Sequence, residues 1–184
     1  MNAILLDRDG VINFDSDAFI KSPEEWRPIP GSVEAIARLH RAGWKVLVAT
    51  NQSGLARGLL DDKTLAAIHA KMHRAVQDAG GWIDDIAFCP HGPEDGCDCR
   101  KPRAGLLFHL AHKWRLNLNA LPCVGDSLRD LQAAHAAGCR PILVRTGNGR
   151  KTEREALPPQ TRVYADLAAV AQALTPAGAT GRAA

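Results

Sequence analysis

Two aspartates one residue apart, Asp7 and Asp9, follow the apolar run Ala3-Ile4-Leu5-Leu6 and precede Gly10. An apolar run of this length, bounded by a turn signal, predicts a buried strand. Residues two apart on an extended chain point to the same side, so both carboxylates can enter one pocket at the strand's carboxyl end. Open α/β sheets bind their ligands at that end. Crowded carboxylates repel unless a cation lies between them or they share a proton. An inert acidic turn would use the same residue types, but the rest of the chain argues against it.

Further predicted strand ends carry matching groups. Thr50-Asn51 follows the strand-like stretch Lys45 to Ala49 and offers a hydroxyl and an amide. Asp126 follows the apolar stretch Pro122 to Gly125, with Asp130 four residues later on the next predicted helix. Arg100-Lys101 lies between them in sequence. All strand ends of a parallel sheet share one edge, so these groups can share one pocket. Neighbouring acids call for a hard divalent cation such as Mg²⁺. A hydroxyl, an amide donor and an ammonium suit a phosphate. Together they describe metal-assisted phosphoryl transfer. Each motif alone is a common structural device; all of them, in this order at strand ends, are not.

A second cluster runs from Cys89-Pro90-His91 to Cys97-Asp98-Cys99. Three thiolates and one imidazole are the ligand set of a closed tetrahedral zinc site. The prolines and glycines between them suit a tight wrap around an ion. With every position filled by protein, such a zinc is structural, and the loop ends directly at Arg100-Lys101, whose direction it can fix. A redox or merely buried cysteine cluster is the alternative.

The elements that must position these groups alternate in type. After the first strand comes a long polar loop, Asn13 to Pro30, and long loops in compact domains are often functional. A helix is expected from Ser32, as N-cap, to Gly43. A strand over Lys45 to Ala49 precedes a helix capped by Asp61 and reaching Ala79. A strand over Ile83 to Phe88, the cysteine loop, a helix over Gly105 to Trp114 and a strand over Pro122 to Gly125 follow. Ser127 caps a helix through Ala137. Strands over Pro141 to Val144 and Thr161 to Tyr164 and a helix from Asp166 to Leu174 complete the chain. This alternation predicts an α/β fold: a Rossmann-like parallel sheet with helices on both faces. The interval between Asp9 and Thr50 is too short for a folded lid, so no cap domain is expected. The loops Asp15 to Lys21, Asn51 to Gly58 and Cys89 to Pro102 should control access instead.

The 184 residues suit one domain, here 1–174, with a small polar tail at 175–184. A net charge of +3 without blocks of like charge excludes a strongly basic nucleic-acid footprint. No apolar run approaches a membrane span. The chain opens directly on its first strand, without a secretion signal, so a cytoplasmic protein is expected. Five cysteines, three of them clustered with a histidine, favour metal over disulfides. Cys123 and Cys139 are expected in the core. The helical histidines His40, His69, His73, His109, His112 and His135 should be solvated or packed. Trp26, Trp44, Trp82 and Trp114 should pack, Trp26 also lying within reach of a substrate.

Asp7-Arg8-Asp9-Gly10, Thr50-Asn51, Lys101-Pro102 and Gly125-Asp126-Ser127-Leu128-Arg129-Asp130 resemble the four sequence motifs of the haloacid dehalogenase superfamily phosphatases. The resemblance covers nearly the whole chain, from Ile4 to about Thr146. It implies an aspartyl-phosphate mechanism with Asp7 as nucleophile and Asp9 as general acid/base. Thr50 and Lys101 would hold the transferring phosphoryl group. Asp7, Asp126 and the backbone carbonyl of Asp9 would bind Mg²⁺, with Asp130 behind them. Acidic neighbours should raise the pKa of Asp9 and so favour its acid form.

Cys-Pro-His followed by Cys-Asp-Cys-Arg-Lys-Pro is similar to two branches of that superfamily, the heptose-bisphosphate phosphatases and the histidinol-phosphate phosphatases. Thr50-Asn51-Gln52-Ser53-Gly54-Leu55-Ala56-Arg57-Gly58 looks like the heptose branch. That likeness implies a small-molecule sugar phosphate as substrate and a place in activated-heptose synthesis for lipopolysaccharide or another surface glycan. It points to Asp15, Ser16, Asp17, Ala18, Asn51, Gln52, Ser53, Arg57, Arg100 and Ser127 as substrate-binding. The first loop departs from that branch, reading Asp15-Ser16-Asp17-Ala18-Phe19 in place of a common Asp-His-Gly-Tyr, which leaves the anomer preference open. A monomer is expected. The rival classes are a histidinol-phosphate phosphatase, a nucleic-acid 3′-end phosphatase and a non-catalytic zinc-stabilised binding module.

Overall fold

The structure is a computed structural model that describes residues 2–119 and 121–176. Its strands are β1 (Ala3–Leu6), β2 (Lys45–Asn51), β3 (Asp85–Cys89), β4 (Pro122–Gly125), β5 (Arg140–Val144) and β6 (Arg162–Tyr164). Its helices are α1 (Ser32–Arg41), α2 (Asp62–Asp78), α3 (Gly105–Trp114), α4 (Leu128–Ala136), α5 (Gly149–Thr152) and α6 (Leu167–Leu174). The strands form one six-stranded parallel sheet in the order β3-β2-β1-β4-β5-β6. The chain starts in the middle, winds outward to β3, then crosses back to β4. The strand order therefore reverses between β1 and β4, and ligand crevices form at such a switch point.

Alternation along β1 divides the interior into two cores. Ile4 and Leu6 face Ile36 and Leu39 of α1, Ile68 and Met72 of α2 and Val170 of α6. Ala3 and Leu5 face Leu107 and Leu110 of α3 and Ala133 and Ala134 of α4. Both faces are covered, which is why the central strands read as continuous apolar runs rather than alternating ones. Cys123 and Cys139 are buried among these groups, as expected.

The local signals hold in most places. Asp61 accepts a hydrogen bond from the Thr64 amide (2.8 Å), and Asp166 does the same for Ala169 (2.8 Å), so both are N-caps. Ser32 is not. The N-cap of α1 is Gly31, at φ +82°, and Ser32 instead donates its hydroxyl to the Ile12 carbonyl (2.6 Å), tying the long loop to the helix. β3 starts at Asp85, two residues later than expected, because Asp84 spends its carboxylate on the Val46 amide (2.9 Å) and Lys45 (2.7 Å). Helix α5 was not foreseen; four residues carry too little periodicity to register. The expected tail begins too early at Thr175: its hydroxyl and carbonyl accept from Arg38 at 2.6 and 2.7 Å. Residues 177–184 of that tail lie outside those described. Trp26 is a core residue at 1% exposure rather than a substrate contact, and Trp82 is exposed rather than packed.

Between Asp7 and Gly31 the chain forms turns and isolated bridges but no helix or strand. This long loop is anchored by Trp26 and Ile20 in the core and by Lys71, which donates to the carbonyls of Pro23 (2.6 Å) and Trp26 (2.9 Å).

Candidate active site

The switch point brings Asp7, just past β1, against Asp126, just past β4. Asp130 joins them from the first turn of α4, and one carboxylate oxygen of each lies within 4.8 Å of the others. All three are buried, and so is Lys101. The Lys101 ammonium stands 2.8 Å from Asp7 Oδ1 and 2.6 Å from Asp130 Oδ1, and donates to the Ala49 carbonyl at 2.8 Å. The Lys101 peptide is placed by Asn51, whose amide side chain accepts from its N–H and donates to its carbonyl, both at 3.1 Å.

One cation does not balance this many acids. Burial pushes Asp7 up to about 6, against the pull of Lys101. Burial, with repulsion from Asp130 and Asp7, pushes Asp126 up to about 8. Asp130 is also penalised by burial, but the Lys101 charge and bonds from Lys101 and Ser127 hold it low. Its second oxygen accepts from the Ser127 amide (3.0 Å) and hydroxyl in the box that caps α4. Asp130 is thus already paired, while Asp7 and Asp126 keep unbalanced charge. Buried carboxylates in that condition fit a divalent cation. The backbone closes on them tightly. A Cβ on Gly10 or Gly147 would sit 2.1 or 2.2 Å from Asp126 Oδ2, and both residues have positive φ. Asn148 donates its amide to the same oxygen at 2.7 Å.

Asp9 lies in a different setting from the one expected. Its oxygens accept from Arg8 (2.9–3.1 Å), Asn13 (2.8 Å) and Gln52 (2.9 Å). Burial alone would raise its pKa, but the Arg8 charge and these bonds outweigh it, so Asp9 is held below the usual carboxylate range. The expected upward shift is therefore wrong: the fully buried Arg8 guanidinium, not the acidic neighbours, dominates. Gln52 joins the group together, donating to Asp9 and to the Thr50 hydroxyl (2.9 Å) while accepting from Arg8 (3.1 Å). Thr50 accepts there and keeps its own proton to donate.

A cavity of about 150 Å³ opens over Asp7, Asp9, Thr50 and Lys101. Of the residues proposed for substrate, Asp15, Ser16, Asn51, Gln52, Ser53 and Arg100 line it. Asp17 and Ala18 do not; Phe19 and Ile20 take their place, with Phe19 at φ +64°. Arg57 is exposed, lies over the Phe19 ring, 5.5 Å from its centroid, and does not line the cavity. Ser127 is absorbed by the α4 cap. Arg129 lines the cavity and was missed. Its position after Asp126 carried no signal, because only the direction in which α4 leaves the sheet edge aims it there.

The cysteine loop closes as its composition implies. Cys89, His91, Cys97 and Cys99 bring their donor atoms together with no disulfide. Sulfur–sulfur separations are 3.2–3.6 Å and His91 Nδ1 lies 3.3 Å from Cys99 and 3.6 Å from Cys89. A tetrahedral zinc with Zn–S about 2.3 Å and Zn–N about 2.0 Å sets its ligands roughly 3.5–3.8 Å apart. The donor set and its spacing fit that ion. Arg100 leaves this loop with its guanidinium on the His91 carbonyl (3.1 Å) and faces the cavity.

Comparison with known proteins gives a consistent result. A HAD-hydrolase-like family model matches residues 98–170. The chain is 62% identical over 175 residues to D-glycero-beta-D-manno-heptose-1,7-bisphosphate 7-phosphatase of Bordetella bronchiseptica, covering 95% of this chain and 98% of that one. It is 53% identical to the Pseudomonas putida protein of the same name, covering 95% and 99%. The solved structure of the B. bronchiseptica D,D-heptose 1,7-bisphosphate phosphatase, complexed with magnesium and phosphate, superposes with a TM-score of 0.93, covering 95% of this chain and 98% of that chain. The Burkholderia thailandensis phosphatase, 47% identical, superposes at 0.76, with coverage of 95% and 98%.

Proposed function

This chain belongs to the D-glycero-beta-D-manno-heptose-1,7-bisphosphate 7-phosphatases of the haloacid dehalogenase superfamily, and from that membership we propose that it removes the 7-phosphate of D-glycero-beta-D-manno-heptose 1,7-bisphosphate by way of an aspartyl-phosphate. The observation that carries the chemistry is a buried carboxylate, Asp7, held 2.8 Å from the buried Lys101 ammonium at the floor of the cavity. The names of the relatives support the β anomer, which the first loop left open.

Asp7 attacks phosphorus, the bond to the sugar oxygen breaks, and the phosphoryl group passes to the carboxylate. Splitting hydrolysis in this way replaces one difficult step with two easier ones. Lys101 and the Thr50 hydroxyl hold the phosphoryl oxygens and stabilise the charge that moves onto them. Asp7, Asp126 and the Asp9 carbonyl would hold Mg²⁺, whose charge would offset the repulsion between the carboxylate and a phosphate dianion. Asp9 gives its proton to the departing sugar oxygen, then takes one from the water that cleaves the aspartyl-phosphate and frees inorganic phosphate. Asp9 is ionised in the free protein, so it takes up that proton from solvent as the phosphate dianion arrives beside it and favours its neutral form. Asn51 and Gln52 act by placing Lys101, Thr50 and Asp9.

Arg100 and Arg129, at the cavity wall, hold the remote 1-phosphate; a guanidinium fork binds phosphate oxygens with two donors at once. The product keeps its anomeric phosphate, the group needed for nucleotide activation, which supports a cytoplasmic place in surface-glycan heptose synthesis. Among the described residues no helix is long and apolar enough to cross a membrane.

The test is kinetic. Histidinol phosphate carries an ammonium and an imidazole, poor partners for these arginines. The expected kcat/KM for the heptose bisphosphate exceeds that for histidinol phosphate by about 10³-fold, the size of two lost charge-assisted contacts. Comparable values for the two would overturn the substrate assignment and leave the phosphatase standing.

The four-ligand loop binds one structural zinc. Elemental analysis of purified protein should find about one zinc per chain, as one closed site requires. Slow removal by a chelator should lower the melting temperature, because the binding energy of a structural metal is also folding energy. Mg²⁺ should still be needed for turnover by the zinc-loaded protein. Full stability after zinc loss would contradict this role.

A further inference from the structure

One histidine stands apart from the others on the helices. His69, on α2, is half-buried, and its Nε2 lies 3.3 Å from Arg8 Nη1. An arginine side chain has only donors. The imidazole must then accept, which makes it the neutral tautomer with its proton on Nδ1. Burial and the Arg8 charge agree, holding His69 down at about 3. Its ring meets Phe88 edge-on, with centroids 6.1 Å apart.

The contact completes a chain that ends in the reaction. Arg8 is wholly buried, and its other nitrogens are committed to Asp9 and to Gln52. Gln52 in turn donates to Asp9 and Thr50. Nη1 is the one corner of the guanidinium that reaches away from this group, and His69 is its side-chain acceptor. A buried charged donor without an acceptor costs heavily, so loss of His69 would turn Arg8 toward a new partner. The turn would carry Asp9 with it.

We propose that His69 is a positioning residue for proton delivery: as a neutral acceptor on Arg8 Nη1 it fixes the guanidinium, and through it the orientation of the Asp9 carboxylate. This inference rests on the acid/base role of Asp9 proposed above. It lies outside the motifs of the sequence, because His69 is distant in sequence from every other member of the site.

The experiment exploits leaving groups. A sugar alkoxide needs a proton to depart; an activated aryl phosphate, such as p-nitrophenyl phosphate, does not. Kcat/KM reports the steps up to the first irreversible one, here the departure of the leaving group. His69→Leu should lower kcat/KM by about tenfold for the heptose bisphosphate, a modest part of what a general acid contributes. For the aryl ester the loss should stay within about twofold, since no acid is needed there. His69→Gln, whose amide oxygen can accept from the same guanidinium, should recover most of the sugar-phosphate loss. Asp9→Asn should show the same selectivity more strongly, and His69→Leu added to it should cost nothing further. Equal losses on both substrates, or no loss, would show a merely structural histidine and overturn the inference, with Asp9→Asn still selective. If Asp9→Asn itself were unselective, the acid/base reading would fall and the inference with it.

Discussion

Asp7→Asn should lower kcat by at least about 10⁴-fold, because a side-chain amide cannot form the acyl phosphate on which the two-step route depends. The fold should survive. Burial raises the pKa of Asp7, so in the free protein the charged carboxylate is the costly form, and a neutral side chain of the same size relieves that cost. Lys101 keeps Asp130 and the Ala49 carbonyl. Phosphate release with the heptose bisphosphate measures the first effect and thermal unfolding the second. Mass spectrometry after rapid quenching adds a direct check: wild type should show a phosphorylated fraction and Asp7→Asn none. Turnover above about one per cent of wild type would remove Asp7 as nucleophile, since that leaves less than 3 kcal/mol of lost transition-state stabilisation.

Lys101→Ala has the second large effect, and it strikes stability and catalysis together. The ammonium is the shared partner of Asp7 and Asp130, all three buried. Removing one partner of a buried pair leaves an uncompensated charge, at a cost of about 3 kcal/mol at the low end of the usual range. For a chain of this size that corresponds to a fall of roughly 6–12 °C in Tm. Catalysis should fall by about 10³-fold from the lost contact to the transferring phosphoryl group. Lys101→Met, which preserves the stem and much of the volume, separates charge from packing. It should lose as much activity as Lys101→Ala. A variant that keeps its Tm and loses only activity would show that the acids balance themselves without the lysine.

Much of this protein is legible along the chain. Ile4 to Leu6, Val46 to Ala49 and Pro122 to Gly125 announce buried strands by composition. Asp61 and Asp166 announce helix starts. Asp7, Thr50 and Asp126 then fall at strand ends, where parallel topology must gather them. Cys89, His91, Cys97 and Cys99 specify their own cluster, since a short loop with four metal donors has few ways to close. These features depend on neighbours within a few residues, or on a rule that holds for every parallel sheet.

Other features were decided only in three dimensions. Ser127 was read as a substrate contact, yet its hydroxyl and amide go to Asp130. Arg57 was read as a substrate contact and Arg129 was not, yet Arg129, in the first turn of α4, lines the cavity and Arg57 does not. Asp9 was expected to be pushed toward protonation by its acidic neighbours, and Arg8, the residue beside it, does the opposite. Arg8 can do so because Gln52, just past β2, and His69, on α2, arrive to hold it. Asn148, beyond β5, reaches both Asp126 and Asp15. The physical reason is the same in each case. Backbone periodicity determines where a residue sits on its own strand or helix, whereas the charge state and aim of a buried polar group depend on partners brought by packing from distant parts of the chain.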